Sequence, residues 1–298
     1  MGLTLDMSYR QARPFVLFKP HRIQITVAGV GGTGSHLVPF LPELARQLQR
    51  DGHQVSIALV DPDTVSEQNC SRQNFFLKDV GLNKATILAF RYGVPSGMPM
   101  TAVIDRFDAN KVRGWQHLTV LVGCTDNSAA RRELSRALVG ISEHRLILYL
   151  DAGNSFDNGQ VIIGTTADRE RLRRAFATGV CTDLPAPAIQ EPGLLDFEPD
   201  EVMARRRSCA ELAAANLQSR TINMRMAAEL AQYLQEVLID GGLRRCATTI
   251  DLKTGTARSK YLTPQTLAPM LDTTPDFFIV PQPSEAPLSL DGLDLNSL

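Results

Sequence analysis

Four glycines in six residues do most to narrow what this chain can fold into. In the run "VAGVGGTGS", residues 27–35, Gly29, Gly31 and Gly34 fall on a G-x-G-x-x-G spacing. Gly32 adds a fourth glycine, and Ser35 opens the helix expected next. An apolar run from Ile23 to Val30 leads into this loop. A buried strand, a tight glycine turn and a helix start, in that order, make the phosphate-binding corner of a nucleotide fold. The glycines alone leave NAD, FAD, ATP and S-adenosylmethionine all open as ligands.

The pattern beyond the loop predicts an alternating α/β order. A helix is expected over 33–50, with Pro39 and Pro42 distorting its first half. Strands follow at Gln54 to Val60, Met100 to Phe107, Leu118 to Gly123 and Arg145 to Leu150. Helices are expected from Lys84 to Tyr92 and from Asn127 to Ile141. Such alternation means a parallel sheet covered by helices on both faces. The second half reads differently. Gln160 to Thr165 is a strand, 178–207 a Pro-rich crossing loop, and Ser208 to Asp240 a helix. Cys246 to Leu252 and Thr256 to Tyr261 read as a hairpin turning at Lys253-Thr254-Gly255. After Thr263 the chain is rich in Pro, Ser and Asp, and 263–298 reads as a poorly ordered tail. Its patch Phe277-Phe278-Ile279-Val280 reads either as a docking motif or as packing against the body.

With 298 residues and 44% hydrophobic content, the chain can bury a sizeable core. Its 31 Lys and Arg balance 32 Asp and Glu, which gives no charge argument for nucleic acid or membrane partners. No apolar run is long enough to span a bilayer, and Asp6 sits where a myristoylation motif after Met1-Gly2 wants Ser or Thr. A cytoplasmic protein is expected. The five cysteines, Cys70, Cys124, Cys181, Cys209 and Cys246, form no C-x-x-C pair, so no zinc site is expected. No H-E-x-x-H or G-x-S-x-G occurs either.

Three further features bear on the ligand. Asp61 lies at the end of the second strand, where a carboxylate can meet a ribose hydroxyl, though further along than in the NAD fingerprint. Asn69, Arg72 and Gln73 follow it, and a dehydrogenase has no use for them there. A guanidinium can grip a phosphate by two hydrogen bonds, although a lone loop arginine is more often solvated. Lys84 follows Asn83, the expected helix cap, so a cation falls in the first helical turn, where it opposes the helix dipole by roughly 0.3–1 kcal/mol. A phosphate at that helix end would resolve the conflict. An exposed lysine with its head in water would also resolve it. Asp126 and Asn127 follow the strand ending at Gly123, at the end of the sheet where ligands bind. Asp126 is placed to hold Mg²⁺ on a triphosphate, while Asn127 or Ser128 caps the next helix.

Taken in order, G-x-G-G-x-G-S, D-x-D-x-V-x-x-x-N-x-x-R-Q, G-x-x-K and C-T-D-N resemble the ThiF family, the adenylating enzymes that activate ubiquitin-like proteins. The resemblance is close over 22–152 and fades through 208–262. It implies a Rossmann-like ThiF fold in one adenylation domain over 1–262, with a mixed sheet that is parallel first and antiparallel later. By resemblance, Gly31 and Gly32 line the phosphate path and Asp61 binds the ribose. Asn69, Arg72 and Lys84 contact the phosphates, and Asp126 holds Mg²⁺ on ATP. The wider nucleotide set comprises Gly29, Gly31, Gly32, Gly34, Asp61, Asn69, Arg72, Gln73, Lys84, Asp126 and Asn127.

The family's reaction is adenylation of a C-terminal glycine carboxylate on a small β-grasp protein, with homodimers sharing an arginine across the interface. Arg10 and Arg13 are candidates for that arginine but match weakly, and Ile222, Met226 and Leu230 could serve either an interface or the core. The chain lacks the paired zinc cysteines of the sulfur-carrier activators, and residues 178–210 and the tail more closely resemble the stand-alone ThiF proteins of plasmid-borne PRTRC cassettes. If a thioester forms, Cys209 is the leading thiol. It follows the capping-box residue Ser208, with Arg205, Arg206 and Arg207 adjacent. Cys181 is the rival, and Asp183 nearby disfavours its thiolate. A Rossmann oxidoreductase, an adenylating enzyme for a tRNA base or peptide amide, and a non-catalytic scaffold are the alternatives.

Overall fold

A computed structural model describes residues 8–112, 117–139, 146–177, 179–196 and 219–279. Its centre is an eight-stranded sheet in the order β10-β9-β6-β5-β4-β1-β2-β3. The strands are β1 (Arg22–Ala28), β2 (Gln54–Val60), β3 (Met100–Val103), β4 (His117–Gly123) and β5 (Leu146–Asn154). They continue with β6 (Asn158–Gly164), β9 (Arg245–Asp251) and β10 (Thr256–Tyr261), and a small separate ribbon pairs β7 (Phe176–Ala177) with β8 (Val180–Cys181). Strands β1 to β5 run parallel, and β6, β9 and β10 are added antiparallel. This is the mixed α/β sheet expected, with helices packed around it.

The first strand is apolar because it is central. Ile23, Ile25 and Val27 are buried between the faces, and Val27 lies in register with Leu59 of β2 and Val122 of β4. The order of strands reverses across β1, whose two neighbours are β2 and β4. Crevices at the carboxyl ends of strands open at such switch points. The helix after the glycine loop runs Gly32–Leu37, tightens into a 3₁₀ turn at Val38–Phe40 where Pro39 sits, and resumes as Leu41–Arg50.

The long helix Arg220–Leu238 is capped by Ser219, whose Oγ accepts from Ile222 N at 3.2 Å. Its buried face carries Ile222, Met226 and Leu230 into the core, so these residues are not an interface. The hairpin of β9 and β10 turns as expected through Gly255, at φ +70°. The sheet has one short edge, β3, and one polar edge, β10, where Arg258 and Lys260 are exposed.

Several expectations need correction. The third strand ends at Val103, not Phe107, because β2 offers no ladder beyond Val60. The helix from Lys84 gives way after Leu88 to a wide π turn at Ala89–Gly93. The helix expected from Asn127 to Ile141 runs Ser128–Arg136, capped by Asn127. The fifth strand continues to Asn154 and turns directly into β6. A Cβ on Gly153, near its end, would stand 2.7 Å from the Arg131 guanidinium, and one on Gly159, opposite Asn154 on β6, would stand 2.6 Å from Met226 Sδ.

Residues 179–196 are not an open crossing loop. Pro187–Gln190 and Pro192–Leu195 are short helices with proline in the first turn, where its missing N–H is harmless. The remainder of that segment, together with Arg205, Arg206, Arg207, Ser208 and Cys209, lies outside the described residues. Residues 263–279 of the tail carry short helices at Pro264–Leu267, Ala268–Leu271 and Pro275–Phe278, and 280–298 lie outside the described residues. Phe278 is fully buried, edge-on to Phe176 at 6.2 Å, and Phe277 packs beside it, whereas Ile279 is exposed and Val280 lies outside the described residues.

Phe278→Ala should therefore cost about 3–5 kcal/mol, the scale for removing a buried aromatic side chain. Urea unfolding measures it. A change below about 0.5 kcal/mol, as at an exposed position, would show the segment to be peripheral.

Candidate active site

Val60, Ala28 and Gly123 lie in register on adjacent strands, so the loops that leave β2, β1 and β4 start side by side. Strand spacing puts the outer two roughly 10 Å apart. Asp61, the glycine loop and Asp126 all leave from this row.

Each glycine of the loop has its own reason. Gly29 takes φ +82°, and a Cβ there would stand 2.7 Å from Cys124 O. Its N–H donates to Val60 O at 2.9 Å, which ties the loop to β2. A Cβ on Gly34 would stand 2.1 Å from Gly29 O, so the helix can approach the loop only as glycine. Gly31 is different: the nearest atom to an added Cβ is Gln73 Nε2, at an ordinary 3.5 Å. No protein contact requires glycine at 31, whereas a phosphate lying against the backbone would. The helix that begins at Gly32 has no side-chain cap, which leaves its first N–H groups for a ligand.

Asp61 is buried at the end of β2. Its Oδ2 accepts from Val30 N at 2.8 Å and its Oδ1 from Asp63 N at 2.9 Å. Burial raises its pKa above the ordinary carboxylate value, against these hydrogen bonds and the charge of Lys84, which act the other way. Asn83 caps its helix as expected, accepting from Thr86 N at 2.9 Å, and its Nδ2 donates to the carbonyls of Asp61 and Asp63, each at 3.0 Å.

Lys84 is buried, and its Nζ lies 3.0 Å from Asp63 Oδ2. The unfavourable position of this cation at a helix start is thus offset by a carboxylate, without any need for a phosphate. Asp63 was missed as a site residue, although it stands in the D-x-D of the motif. Its exposed carboxylate leaves the ammonium a neighbour it can share with an incoming anion.

Asn69 Oδ1 accepts from Ser66 N at 3.0 Å, and its carbonyl accepts from Arg72 N and Gln73 N. It shapes the turn that carries Arg72, and only its Nδ2 end could meet a phosphate. Arg72 is half-buried, and among the described residues its guanidinium forms no ion pair. Gln73 is buried beside Gly31, and among the described residues its Oε1 has no hydrogen-bond partner. The loop is held to the glycine helix by Asn74, whose N donates to Ser35 Oγ at 2.9 Å, another contact not foreseen.

Asp126 is exposed just past β4, with Asn127 Nδ2 at 3.5 Å. Asn127 Oδ1 accepts from Ala130 N at 2.8 Å, so this residue is a helix cap. Among the described residues no group of three or more His, Cys, Asp or Glu could hold a metal by itself. A lone open carboxylate suits Mg²⁺, which is usually bound by one or two carboxylates together with substrate phosphates and water.

The thiol candidates divide. Cys209 lies outside the described residues. Cys181 is fully buried, its Sγ 3.3 Å from Asp183 O, and burial pushes its pKa far up, so it is a packing residue. Arg13 donates to Ala177 O at 2.7 Å and so belongs to the local packing.

The ThiF family model matches residues 17–187, more than half of the sequence, and the chain belongs to the ThiF family. No curated protein matches it. The fold is similar to that of Escherichia coli MccB, at 15% identity and a TM-score of 0.50, over 80% of this chain and 62% of that one. The microcin C7 biosynthetic enzyme MccB in complex with N-formylated MccA gives 17% identity and a TM-score of 0.50, over 80% and 64%. PaaA gives 15% and 0.48, over 80% and 64%. This chain therefore spans less than two thirds of the length of these solved relatives. Among the described residues no helix is long and apolar enough to cross a membrane.

The glycine geometry separates two variants. Gly34→Ala should lower the melting temperature sharply or prevent folding. Gly31→Ala should be destabilised far less than Gly34→Ala and lose nucleotide affinity. Thermal melts with calorimetry check both, and equal stability of the two variants would contradict the contacts described.

Asp61 gives a pH prediction. Its folded pKa lies above the unfolded value of about 3.9, so across the interval between them the folded state holds more protons. Its contribution to stability therefore falls as pH rises through that interval. Asp61→Asn removes this dependence. Measured by denaturant unfolding, the stability of the variant relative to wild type should improve as pH rises from about 4 and then level off. A difference that does not vary with pH would show the carboxyl to be unperturbed.

Proposed function

We propose that this chain is an ATP-dependent adenylating enzyme acting on the C-terminal glycine of a small β-grasp, ubiquitin-like protein. The observation that carries this reading is the row of Asp61, the glycine loop and Asp126 leaving adjacent strand ends, with Lys84 and Arg72 nearby. It is supported by membership of the ThiF family and by the motif order, which departs from a nicotinamide site after Asp61.

In this reading a carboxylate oxygen of the substrate attacks the α-phosphorus of ATP. The bond from that phosphorus to the bridging oxygen breaks, and pyrophosphate leaves with it. The product is an acyl adenylate. No protein nucleophile is needed, and catalysis rests on positioning and charge. Asp61 receives the ribose hydroxyls on lone pairs left beside its two backbone donors. The N–H groups from Gly31 and Gly32, with Asn69 Nδ2, Arg72, Gln73 and Lys84, receive the phosphates. Asp126 would hold Mg²⁺, which when bound neutralises triphosphate charge.

A thioester step would fall to Cys209, since Cys181 is buried. We take the enzyme to work as a cytoplasmic homodimer, and light scattering tests the dimer.

Asp126→Ala should lower ATP–pyrophosphate exchange with the cognate carrier protein by roughly 100-fold or more while leaving the melt unchanged. Near wild-type exchange would reject the metal role. Saturable NAD binding without ATP binding in the wild type would reject the adenylating reading as a whole. Exchange driven by a tRNA or a short peptide, and not by a β-grasp protein, would move the substrate.

A further inference from the structure

A chain of side-chain amides crosses the molecule beneath Arg72. Thr33 Oγ1, in the first turn after the glycine loop, donates to Asn154 Oδ1 at 3.2 Å. Asn154 is the last residue of β5, and its Nδ2 donates to Asn223 Oδ1 at 3.0 Å. Asn223 Nδ2 donates in turn to the backbone carbonyl of Arg72 at 3.1 Å, and His36 Nε2 lies 3.4 Å from the same carbonyl.

Asn223 is fully buried in the long helix, beside Ile222 and one turn from Met226. An apolar residue would serve that face better, because a buried carboxamide costs free energy unless both its ends are satisfied. Here both are. Turning the amide over would set donor against donor and oxygen against oxygen, so the partners fix its orientation. The link joins elements far apart in sequence: the glycine helix, the end of β5, the long helix and the Arg72 loop. Nothing in the core requires such a link.

We infer that Asn154 and Asn223 are positioning residues that fix the backbone of Arg72 relative to the glycine loop, so that the guanidinium pivots from a set point beside the phosphate path. The geometric part stands on the structure alone. The catalytic meaning rests on the adenylating reading.

The test compares Asn223→Ala and Asn223→Asp with Met226→Ala, a control on the same buried face without polar links. The Asp variant is isosteric but cannot donate to the Arg72 carbonyl. Hydrogen exchange is read first, with no nucleotide present. Amides in 71–75 and 31–35 should exchange faster in both Asn223 variants and not in Met226→Ala at matched global stability. Equal acceleration in the control, or none in the Asn223 variants, overturns the positioning role.

Calorimetry is read second. Asn223→Ala should weaken Mg-ATP by roughly tenfold and leave AMP unchanged, and adding it to Arg72→Ala should weaken ATP no further. An equal loss for AMP overturns the assignment to the phosphate side. If the wild type binds no ATP, the adenylating reading falls, while the exchange result still decides the positioning.

Discussion

The hydrogen bond from Val30 N–H to the buried carboxylate of Asp61 is the contact on which the candidate site depends. It joins the glycine loop after β1 to the end of β2, and it does so with a group that burial makes expensive to ionise. The same carboxylate turns the chain at Asp63, whose carbonyl and side chain then place Asn83 and Lys84. Losing it would release the loop and the lysine helix together. A buried carboxylate whose hydrogen bonds are satisfied fixes the geometry of the segments that meet at it.

The glycines show how a backbone can be specified from two directions. At Gly29 and Gly34 the protein itself leaves no room for a side chain, and these two positions define the turn. At Gly31 the protein leaves ordinary space. The contacts within the fold thus fall on Gly29 and Gly34 and not on Gly31, a distinction that a motif match by spacing merges.

Much of the frame was legible because it rests on local rules. β-Branched runs gave β1, β2 and β4, Asn83 announced its helix start, and Lys253-Thr254-Gly255 announced the last hairpin. What escaped was set by contacts distant in sequence. The end of β5 is small and polar, with Arg131 packed against Gly153, so the strand read as finished too early. Asp63 is an unremarkable loop carboxylate until Lys84 folds back onto it. Asn223 breaks an apolar stripe, a visible signal, but its partners lie in three other segments. Phe277 and Phe278 sit among prolines that suggested disorder, whereas those prolines begin short helices packed on the body.

The two borders of the main sheet also have a consequence for how copies of the chain meet. One border is the four-residue strand β3, and the other, β10, carries exposed Arg258 and Lys260. Unpaired strands are templates for further strands unless they are short or charged, and these two are protected in those two ways. Crowded copies are thus discouraged from zipping into a continuous ribbon, and a visiting polypeptide finds little inducement to extend the sheet as a ninth strand.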